Sequence, residues 1–246
     1  MSQRQPIFNV PGVVAGLLVI FVAMHIFRTL LLPAPWSDWL TAALAFIPAR
    51  YSGLAGEIPG GSVAALTSPL THQFVHGDIT HLVINSAWLL AFGTPVARRT
   101  DPFRFLVFFF LAGIAGALFY LLLNPGAFTM VVGASGAISG LMGAGFRFLF
   151  GPLRDRDAEG LAGEIRRPPL TSLSDTLRDR RVLLAIVGWT LLNFVLAWSK
   201  VGVPEEAAGI AWEAHLGGFY LGLLTYGLFD GGAQEGPGGP NMAAPE

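Results

Sequence analysis

The sequence contains no cysteine and few charged residues. Of its 246 residues, 13% are charged and 53% are apolar, whereas about a quarter of the residues in an ordinary soluble domain are charged. The lack of cysteine excludes disulfides, thiolate metal sites and a cysteine nucleophile. The net charge of -1 gives no reason to expect a nucleic-acid partner, which would require a clustered basic surface. The composition is that of a membrane protein rather than a soluble domain.

Six apolar runs are each long enough to cross a bilayer, which takes about 20 helical residues. We predict spans at 10–32, 79–97, 104–123, 132–150, 182–199 and 208–229. The first run is longer than the signal-peptide core of about 7–15 residues and has no clear cleavage site before Pro33, so we interpret it as an uncleaved anchor. The predicted fold is an all-α polytopic bundle of six transmembrane helices.

Positive charges predict the orientation of this bundle. The connection after the second span holds Arg98, Arg99 and Arg104, and the stretch 147–181 holds eight further arginines. These connections share one side of the membrane with the N-terminal tail, so most of the 15 basic residues lie there. The positive-inside rule makes that side cytoplasmic. Both termini are therefore predicted to be cytoplasmic.

The predicted organisation is one membrane domain over 10–230 between two tails. The tails cover 1–9 and 231–246, and the glycine and proline content of the second predicts disorder. A first external loop covers about 33–78, where Trp36 and Trp39 favour a segment lying in the membrane interface. A polar cytoplasmic loop covers about 151–181.

Several polar side chains fall in or beside the predicted spans, where each one needs a partner or a function. They are His72, His76, His81, Asn85, Ser135 and His215. His81 and Asn85 are four residues apart and share one helical face. Counted from the cytoplasmic boundaries, this pair, Ser135 and His215 fall at a similar height, within roughly 10 Å of the outer face of the hydrocarbon core. Water from that side can reach them.

Glycine spacing predicts a close approach of two spans. Gly136 and Gly140 form a small-xxx-small pair on the fourth span, and Gly218 and Gly222 form another on the sixth. Such pairs let two helix backbones meet almost directly. This contact is expected to bring the serine and the histidine of the two spans within reach of each other.

A serine beside a histidine at this depth fits acyl transfer. The hydroxyl of Ser135 becomes a competent nucleophile if His215 accepts its proton. His81, Asn85 and the Ser135 backbone N–H are the candidate donors for the oxyanion. Glu213 lies about 200° round the helix from the histidine, so it is badly placed as a third member, and we interpret it as solvated.

Each of these residues also has a plainer explanation. Ser135 alone is more often a small residue at a helix contact. His215 alone fits an interhelical hydrogen bond or a proton path equally well. We interpret His72 and His76 as structural residues that fix the first loop, and their uneven spacing disfavours a metal site shared with His81.

The motifs together resemble those of the rhomboid family of intramembrane serine proteases. The matching residues are HxxxHxxxxHxxxN at His72, His76, His81 and Asn85, GxSG at Gly133, Ser135 and Gly136, and AHxxGxxxG at Ala214, His215, Gly218 and Gly222. They occur in the family's order on spans two, four and six. The resemblance covers about 10–230 and implies a six-helix rhomboid-like bundle.

The resemblance implies a role for each matched residue. Ser135 is the nucleophile and His215 is the general base and acid. His81, Asn85 and the Ser135 amide form the oxyanion hole, and the remaining histidines and glycines of the motifs support the site. The implied reaction is hydrolysis of a peptide bond in or beside a transmembrane segment of a membrane-protein substrate, without metal or cofactor. The implied location is the bacterial inner membrane, with the active site open to the non-cytoplasmic side.

The sequence departs from the rhomboid pattern in three places. Thr67 and Ser68 stand where many members have a Trp-Arg pair in the first loop. Ser139 stands where a tyrosine commonly stacks on the catalytic histidine, and Ala97 stands where an acidic residue is frequent. These departures raise the questions of how the first loop is anchored and how the ring of His215 is held.

Two other functions remain open on the sequence. A non-catalytic rhomboid-fold protein that binds membrane clients typically lacks the dyad, which this chain retains. A small transporter uses polar groups near the midplane, but no carboxylate or lysine lies deep in any predicted span and no inverted repeat is evident. Both are less favoured than the protease.

Overall fold

The computed structural model describes residues 10–149, 170–199 and 211–231. In these ranges the chain is mostly helical and forms no strand, apart from an isolated bridge between Phe46 and Val131. The helices are α1 Gly12–Ile26, α2 Ala34–Leu44, α3 Gly61–Thr71, α4 Ile79–Trp88, α5 Thr94–Ala97, α6 Pro102–Leu123, α7 Ser135–Phe146, α8 Leu173–Arg178, α9 Arg180–Ser199 and α10 Trp212–Thr225. The prediction of an all-α fold is confirmed. Both predicted tails, apart from residue 231, and most of the 151–181 loop lie outside the described residues.

Within the described ranges, three helical stretches are identified as long and apolar enough to cross a membrane: Gly12–Leu31, Ile79–Ala97 and Pro102–Leu123. They coincide with the first three predicted spans. The first extends α1 through a π-helical turn, Phe27–Leu31. The second joins α4 to α5 through another, Leu89–Gly93. Both joints keep the backbone hydrogen-bonded along the span, as a lipid environment requires.

Two of the other three predicted spans form shorter helices. α7 has 12 residues and α10 has 14, fewer than the roughly 20 that cross a bilayer alone. α9 has 20 residues, and no charged residue follows the two arginines at its start. The fourth span was predicted to begin at 132, yet α7 begins at Ser135 because Gly133 has a φ of 107°, which is outside the helical region.

α7 lies at the centre of the molecule, packed against α6 and α10. All ten residues from Gly136 to Gly145 are buried. A short helix is tolerated here because protein rather than lipid surrounds its ends. The largest apolar cluster lies on the α1, α4 and α6 side of α7 and includes Phe21, Phe105, Phe108 and Phe109.

The first loop, residues 33–78, is folded rather than extended. It contains α2 and α3, and the 3₁₀ turns Pro48–Ser52, Ala55–Glu57 and His72–Phe74. Trp36 and Trp39 lie exposed on α2. Four backbone hydrogen bonds tie this loop to the segment that leads into α7: Phe46 N–H to Val131 O, Val131 N–H to Phe46 O, Ala49 N–H to Ala127 O and Gly133 N–H to His72 O, all 2.9–3.0 Å. The loop therefore fixes the approach to Ser135.

Candidate active site

Ser135 is the first residue of α7. The two residues before it are Gly133, in the left-handed region, and Ala134, at φ -83° and ψ 2°. This turn ends the extended segment and places the serine where the first backbone N–H groups of a helix have no intrahelical acceptor. Its side chain is partly exposed. The start of α7 thus presents a hydroxyl and a backbone donor together.

His215 lies on the first turns of α10 and faces this serine. Its Nε2 is 2.9 Å from Ser135 Oγ. This is hydrogen-bond distance for a nucleophile and its base. His215 is also partly exposed, so the pair is not sealed from a substrate.

The two glycine pairs lie in the contact between α7 and α10. A Cβ on Gly218 would overlap the carbonyl oxygen of Gly136, and one on Gly222 would overlap that of Gly140. In the opposite direction, a Cβ on Gly140 would lie 3.1 Å from the carbonyl oxygen of Gly218. The helices therefore meet backbone to backbone, which holds the serine and the histidine at bonding distance.

The α4 side of the site carries His81 and Asn85. Asp78 caps α4 by accepting a hydrogen bond from the His81 backbone N–H at 2.8 Å. A Cβ on Gly133 would lie 2.6 Å from His81 Nε2 and 3.5 Å from Asn85 Nδ2. Both side chains therefore lie against the turn that precedes Ser135, and only glycine leaves room for them.

Hydrogen bonds set which atoms of these two side chains can donate. The Gly77 backbone N–H points at His81 Nδ1 at 3.4 Å, so Nδ1 is the acceptor and Nε2 carries the proton. Asn85 Nδ2 uses one N–H on the His81 carbonyl oxygen at 3.1 Å and retains a second. Each side chain therefore has a donor available on the side of Gly133.

His72 and His76 lie away from the dyad and pack within the protein. His72 is buried, its Nδ1 is 2.9 Å from the Ser68 carbonyl oxygen, and its own carbonyl oxygen receives the Gly133 N–H. His76 is buried against the ring of Phe21, with centroids 5.0 Å apart. Among the residues that the structure describes, no group of His, Cys, Asp and Glu side chains could hold a metal ion.

Asn193 on α9 was missed by the sequence analysis. It is 1% exposed, and its Oδ1 is 2.9 Å from His215 Nδ1. Its Nδ2 donates to the Trp189 carbonyl oxygen at 2.9 Å. A signal was present, because an amide inside an apolar predicted span carries the same cost in hydrocarbon that singled out Asn85.

The sequence matches the rhomboid domain family over residues 63–230, which is more than half of the chain. It belongs to the rhomboid family. Rhomboid protease GluP of Bacillus subtilis is 31% identical over 206 residues, which cover 84% of this chain and 33% of the relative. Rhomboid protein 1, mitochondrial, of Saccharomyces cerevisiae is 26% identical over 182 residues, or 70% and 44%. The chain thus spans about a third of the length of the first relative and less than half of the length of the second.

A shorter match is to Rhomboid-like protease 3 of Toxoplasma gondii, which is 36% identical over 89 residues, covering 36% of this chain and 33% of the relative. The family membership and the three apolar spans make this rhomboid a membrane protein. Its relatives include proteins named as proteases.

Buried arginines anchor the first loop of this rhomboid, which lacks the Trp-Arg pair of the family pattern. Arg28, at the end of the first span, donates to Thr41 Oγ1 at 3.0 Å and to the carbonyl oxygens of His76 and Gly77 at 2.7 and 3.2 Å. It thereby joins α2 to the segment before α4. Arg50 donates within the loop to the Ala42 carbonyl oxygen, and burial lowers the pKa of its guanidinium, which Tyr51 partly offsets.

The structure shows what surrounds the positions at which the sequence departs from the rhomboid pattern. Ser68 is fully buried, and its hydroxyl lies 3.4 Å from that of Tyr51. Ser139 is buried in α7. Beyond Ala97, Arg99 forms a bidentate ion pair with Asp230, with N to O distances of 2.8 and 2.9 Å.

One interpretation of a residue near the dyad was wrong. Glu213 is 8% exposed rather than solvated, and its Oε1 accepts a hydrogen bond from Asn124 Nδ2 at 3.0 Å. The sequence carried no sign of this contact because Asn124 lies just beyond the end of α6, 89 residues away in the chain. Glu213 is not bonded to His215, whose Nδ1 partner is Asn193.

Proposed function

We propose that this rhomboid is an intramembrane serine endopeptidase in which Ser135 is the nucleophile and His215 is the general base and acid. The observation that carries the proposal is the 2.9 Å distance between Ser135 Oγ and His215 Nε2. The protease names of two matched relatives support it. The substrates are transmembrane proteins, cut in or beside a membrane-spanning segment.

Acylation follows from the geometry of the pair. His215 Nε2 accepts the hydroxyl proton as Ser135 Oγ attacks the carbonyl carbon of the scissile bond. The carbonyl oxygen becomes an oxyanion, for which the donors are the Ser135 N–H, His81 Nε2–H and Asn85 Nδ2–H. His215 then gives its proton to the leaving nitrogen. The C–N bond breaks, the amine product leaves, and an acyl ester remains on the serine.

Deacylation uses the same groups with water as the nucleophile. The water loses a proton to His215 Nε2 as its oxygen attacks the ester carbon. The proton passes to Ser135 Oγ when the ester C–O bond breaks, and the carboxylic acid product is released. Both side chains are partly exposed, which gives water a path to them.

The proposed topology has six spanning helices, with α7, α9 and α10 completing the bundle and both termini in the cytoplasm. Ser135 begins α7 and Arg147 follows its last residue, about 18 Å away along the helix axis. Because arginines mark the cytoplasmic side, the active site opens to the opposite face. In a bacterium this is the non-cytoplasmic face of the inner membrane.

The test combines covalent labelling with cleavage. Purified full-length protein in detergent and in liposomes is treated with a serine-reactive fluorophosphonate and, separately, with a model single-span substrate. We expect the wild type to be labelled and to cleave. Ser135→Ala and His215→Ala are each expected to lose both activities while their thermal unfolding stays cooperative.

Ser139→Ala is the matched control, since it removes a buried hydroxyl one turn farther along the same helix. We expect it to keep both labelling and cleavage. If the folded wild type is not labelled, or if Ser135→Ala is labelled equally, the protease proposal is wrong. The non-catalytic client-binding function would then be favoured.

A further inference from the structure

We infer that Asn193 is a positioning residue for the general base: it fixes the tautomer and the ring orientation of His215. The inference rests on the proposed protease function and adds a third side chain to the dyad. It is carried by two distances, 2.9 Å from Asn193 Oδ1 to His215 Nδ1 and 2.9 Å from Asn193 Nδ2 to the Trp189 carbonyl oxygen.

The Trp189 carbonyl sets the orientation of the amide. A carbonyl oxygen can only accept, so the nitrogen of the Asn193 amide faces it and the oxygen faces the imidazole. That oxygen can also only accept, so His215 Nδ1 carries the ring proton. In the neutral imidazole the lone pair is then on Nε2, the atom 2.9 Å from Ser135 Oγ. This is the tautomer that a general base requires.

Burial gives this hydrogen bond its selectivity. Asn193 is 1% exposed, so water does not compete for its oxygen. In the other tautomer, the lone pairs of Nδ1 and Oδ1 would face each other in a region of low dielectric, where an unmatched polar contact is costly. The base-competent tautomer is therefore favoured before any substrate binds.

The same contact answers how the ring is held without a stacking tyrosine. Ser139 has a short side chain that cannot stack on an imidazole. Asn193 instead holds the ring at its edge, from a third helix. The hydrogen bonds then run from Asn193 on α9 through His215 on α10 to Ser135 on α7. The helix in the middle, α10, packs against both of the others.

A second polar link between α9 and α10 provides a matched control. The Thr190 hydroxyl lies 2.9 Å from the hydroxyl of Tyr220. Thr190 lies one turn from Asn193 on the same helix, and this bond joins it to a tyrosine of α10 rather than to the histidine. Thr190→Val therefore removes a hydrogen bond between the same two helices and leaves the imidazole untouched.

The experiment compares Asn193→Ala, Asn193→Asp and Thr190→Val in the full-length protein in detergent. The rate of fluorophosphonate labelling at Ser135 and the kcat and KM for a model substrate are measured. General-base assistance is worth about 10²- to 10⁴-fold, and we expect Asn193→Ala to lose part of it, about 10- to 100-fold in labelling rate and kcat. KM should change little, since Asn193 contacts the base and not the substrate.

Thr190→Val is expected to stay within about twofold of the wild type, since it alters helix packing but not the base. Asn193→Asp keeps an acceptor oxygen for Nδ1–H and is expected to recover much of the lost rate. If Asn193→Ala and Thr190→Val are slowed equally, or if a folded Asn193→Asp variant is no faster than Asn193→Ala, Asn193 is a packing residue and the inference is overturned.

Histidine ¹⁵N spectra test the inference without any cleavage. The His215 signal is identified by its loss in His215→Ala and is recorded at a pH where the imidazole is neutral. We expect the proton on Nδ1 in the wild type and a mixture of tautomers in Asn193→Ala. A wild-type proton on Nε2 would overturn the inference. An unreactive protein with the proton on Nδ1 would instead sink the protease proposal alone.

Discussion

His81 and His215, the two histidines at the site of this rhomboid, have opposite tautomers, and neighbouring groups set both. The Gly77 backbone N–H points at His81 Nδ1 and leaves Nε2–H free to donate. Asn193 Oδ1 accepts from Nδ1 of His215 and leaves the other ring nitrogen free to accept. In the proposed mechanism, the first imidazole thereby donates to the oxyanion and the second is the base for Ser135.

At the scale of residues, the proposed role of His215 predicts that the activity depends on pH. The neutral form of His215 is the base, so activity is present above the pH at which the imidazole gains a proton and is lost as the pH falls through it. The measurement is the labelling rate of Ser135 between about pH 3 and 8, because burial moves a histidine's titration to lower pH, with intrinsic fluorescence confirming that the protein stays folded. A flat profile with chemistry rate-limiting would contradict the assignment of the base.

The sequence predicted that Ser135 and His215 lie close together, because glycine pairs mark the contact between the helices that carry them. It could have singled out Asn193 as a polar residue in an apolar run, but not its contact with His215, because no spacing rule links a residue on one helix to a side chain on another. Glu213 was misjudged for the same reason, since a helical angle describes a residue's own helix and not the neighbour, here Asn124. Geometry between helices is information that periodicity does not carry.

At the scale of elements, α7 and α10 meet backbone to backbone at their two glycine pairs. Gly222 faces the backbone of Gly140, and Gly218 faces that of Gly136. Backbone atoms have no alternative rotamer, so an added carbon can be accommodated only by moving a helix.

Gly222→Ala is therefore expected to lower the free energy of unfolding by about 1–3 kcal/mol and to slow labelling of Ser135, because the helices that carry the dyad must separate. Thermal unfolding in detergent and the labelling rate are the measurements. Gly188→Ala on α9 is the matched control. A Cβ there meets nothing within 4 Å, so we expect a change of zero or a gain of up to about 1 kcal/mol from helix propensity. Equal losses in both variants would refute the packing argument.

The lengths of these elements were less predictable than their existence. Apolar composition predicts a helix of spanning length wherever an apolar run continues for about 20 residues. α7 is nevertheless shorter than its run, because Gly133 takes a left-handed φ to make room for His81 and to bond His72. That requirement comes from tertiary contacts, which the composition of the run does not report.

At the scale of the whole molecule, one ion pair joins the second span to the end of α10. Arg99 and Asp230 have side chains that are 6% and 7% exposed, and the guanidinium lies 4.7 Å from the centre of the Phe148 ring. The backbone adds a bond from Gly231 N–H to the Arg99 carbonyl oxygen at 3.1 Å. The second span, which carries His81 and Asn85, and α10, which carries His215, are thus tied together at the end away from the site.

Arg99→Ala leaves the Asp230 carboxylate buried without this partner, so we expect a loss of about 3–5 kcal/mol in the free energy of unfolding. Arg104→Ala removes an arginine whose ion pair with Asp101 is about half exposed, and we expect it to cost at most about 1 kcal/mol. Both are measured by denaturation of the full-length protein in the same detergent. A similar cost for the two would show that the buried pair does not hold the bundle together.

The three apolar spans were predicted within a few residues, because the mean hydropathy of about 20 residues reflects how favourably a helix transfers into the hydrocarbon core. The six-span count, the cytoplasmic termini and the side on which the site opens stay predictions. They depend on where a bilayer lies relative to the helices, and α7 and α10 owe their position to packing rather than to lipid.

The attachment of the first loop has a consequence for how rhomboid sequences can diverge. Phe46 and Ala49 bind the segment before Ser135 through backbone atoms, and backbone hydrogen bonds are indifferent to the side chain that carries them. Mutation can therefore rewrite the loop while its attachment survives. The family model matches from residue 63, so Phe46 and Ala49 lie before it, while Ala127 and Val131, whose backbone atoms they bind, lie within it.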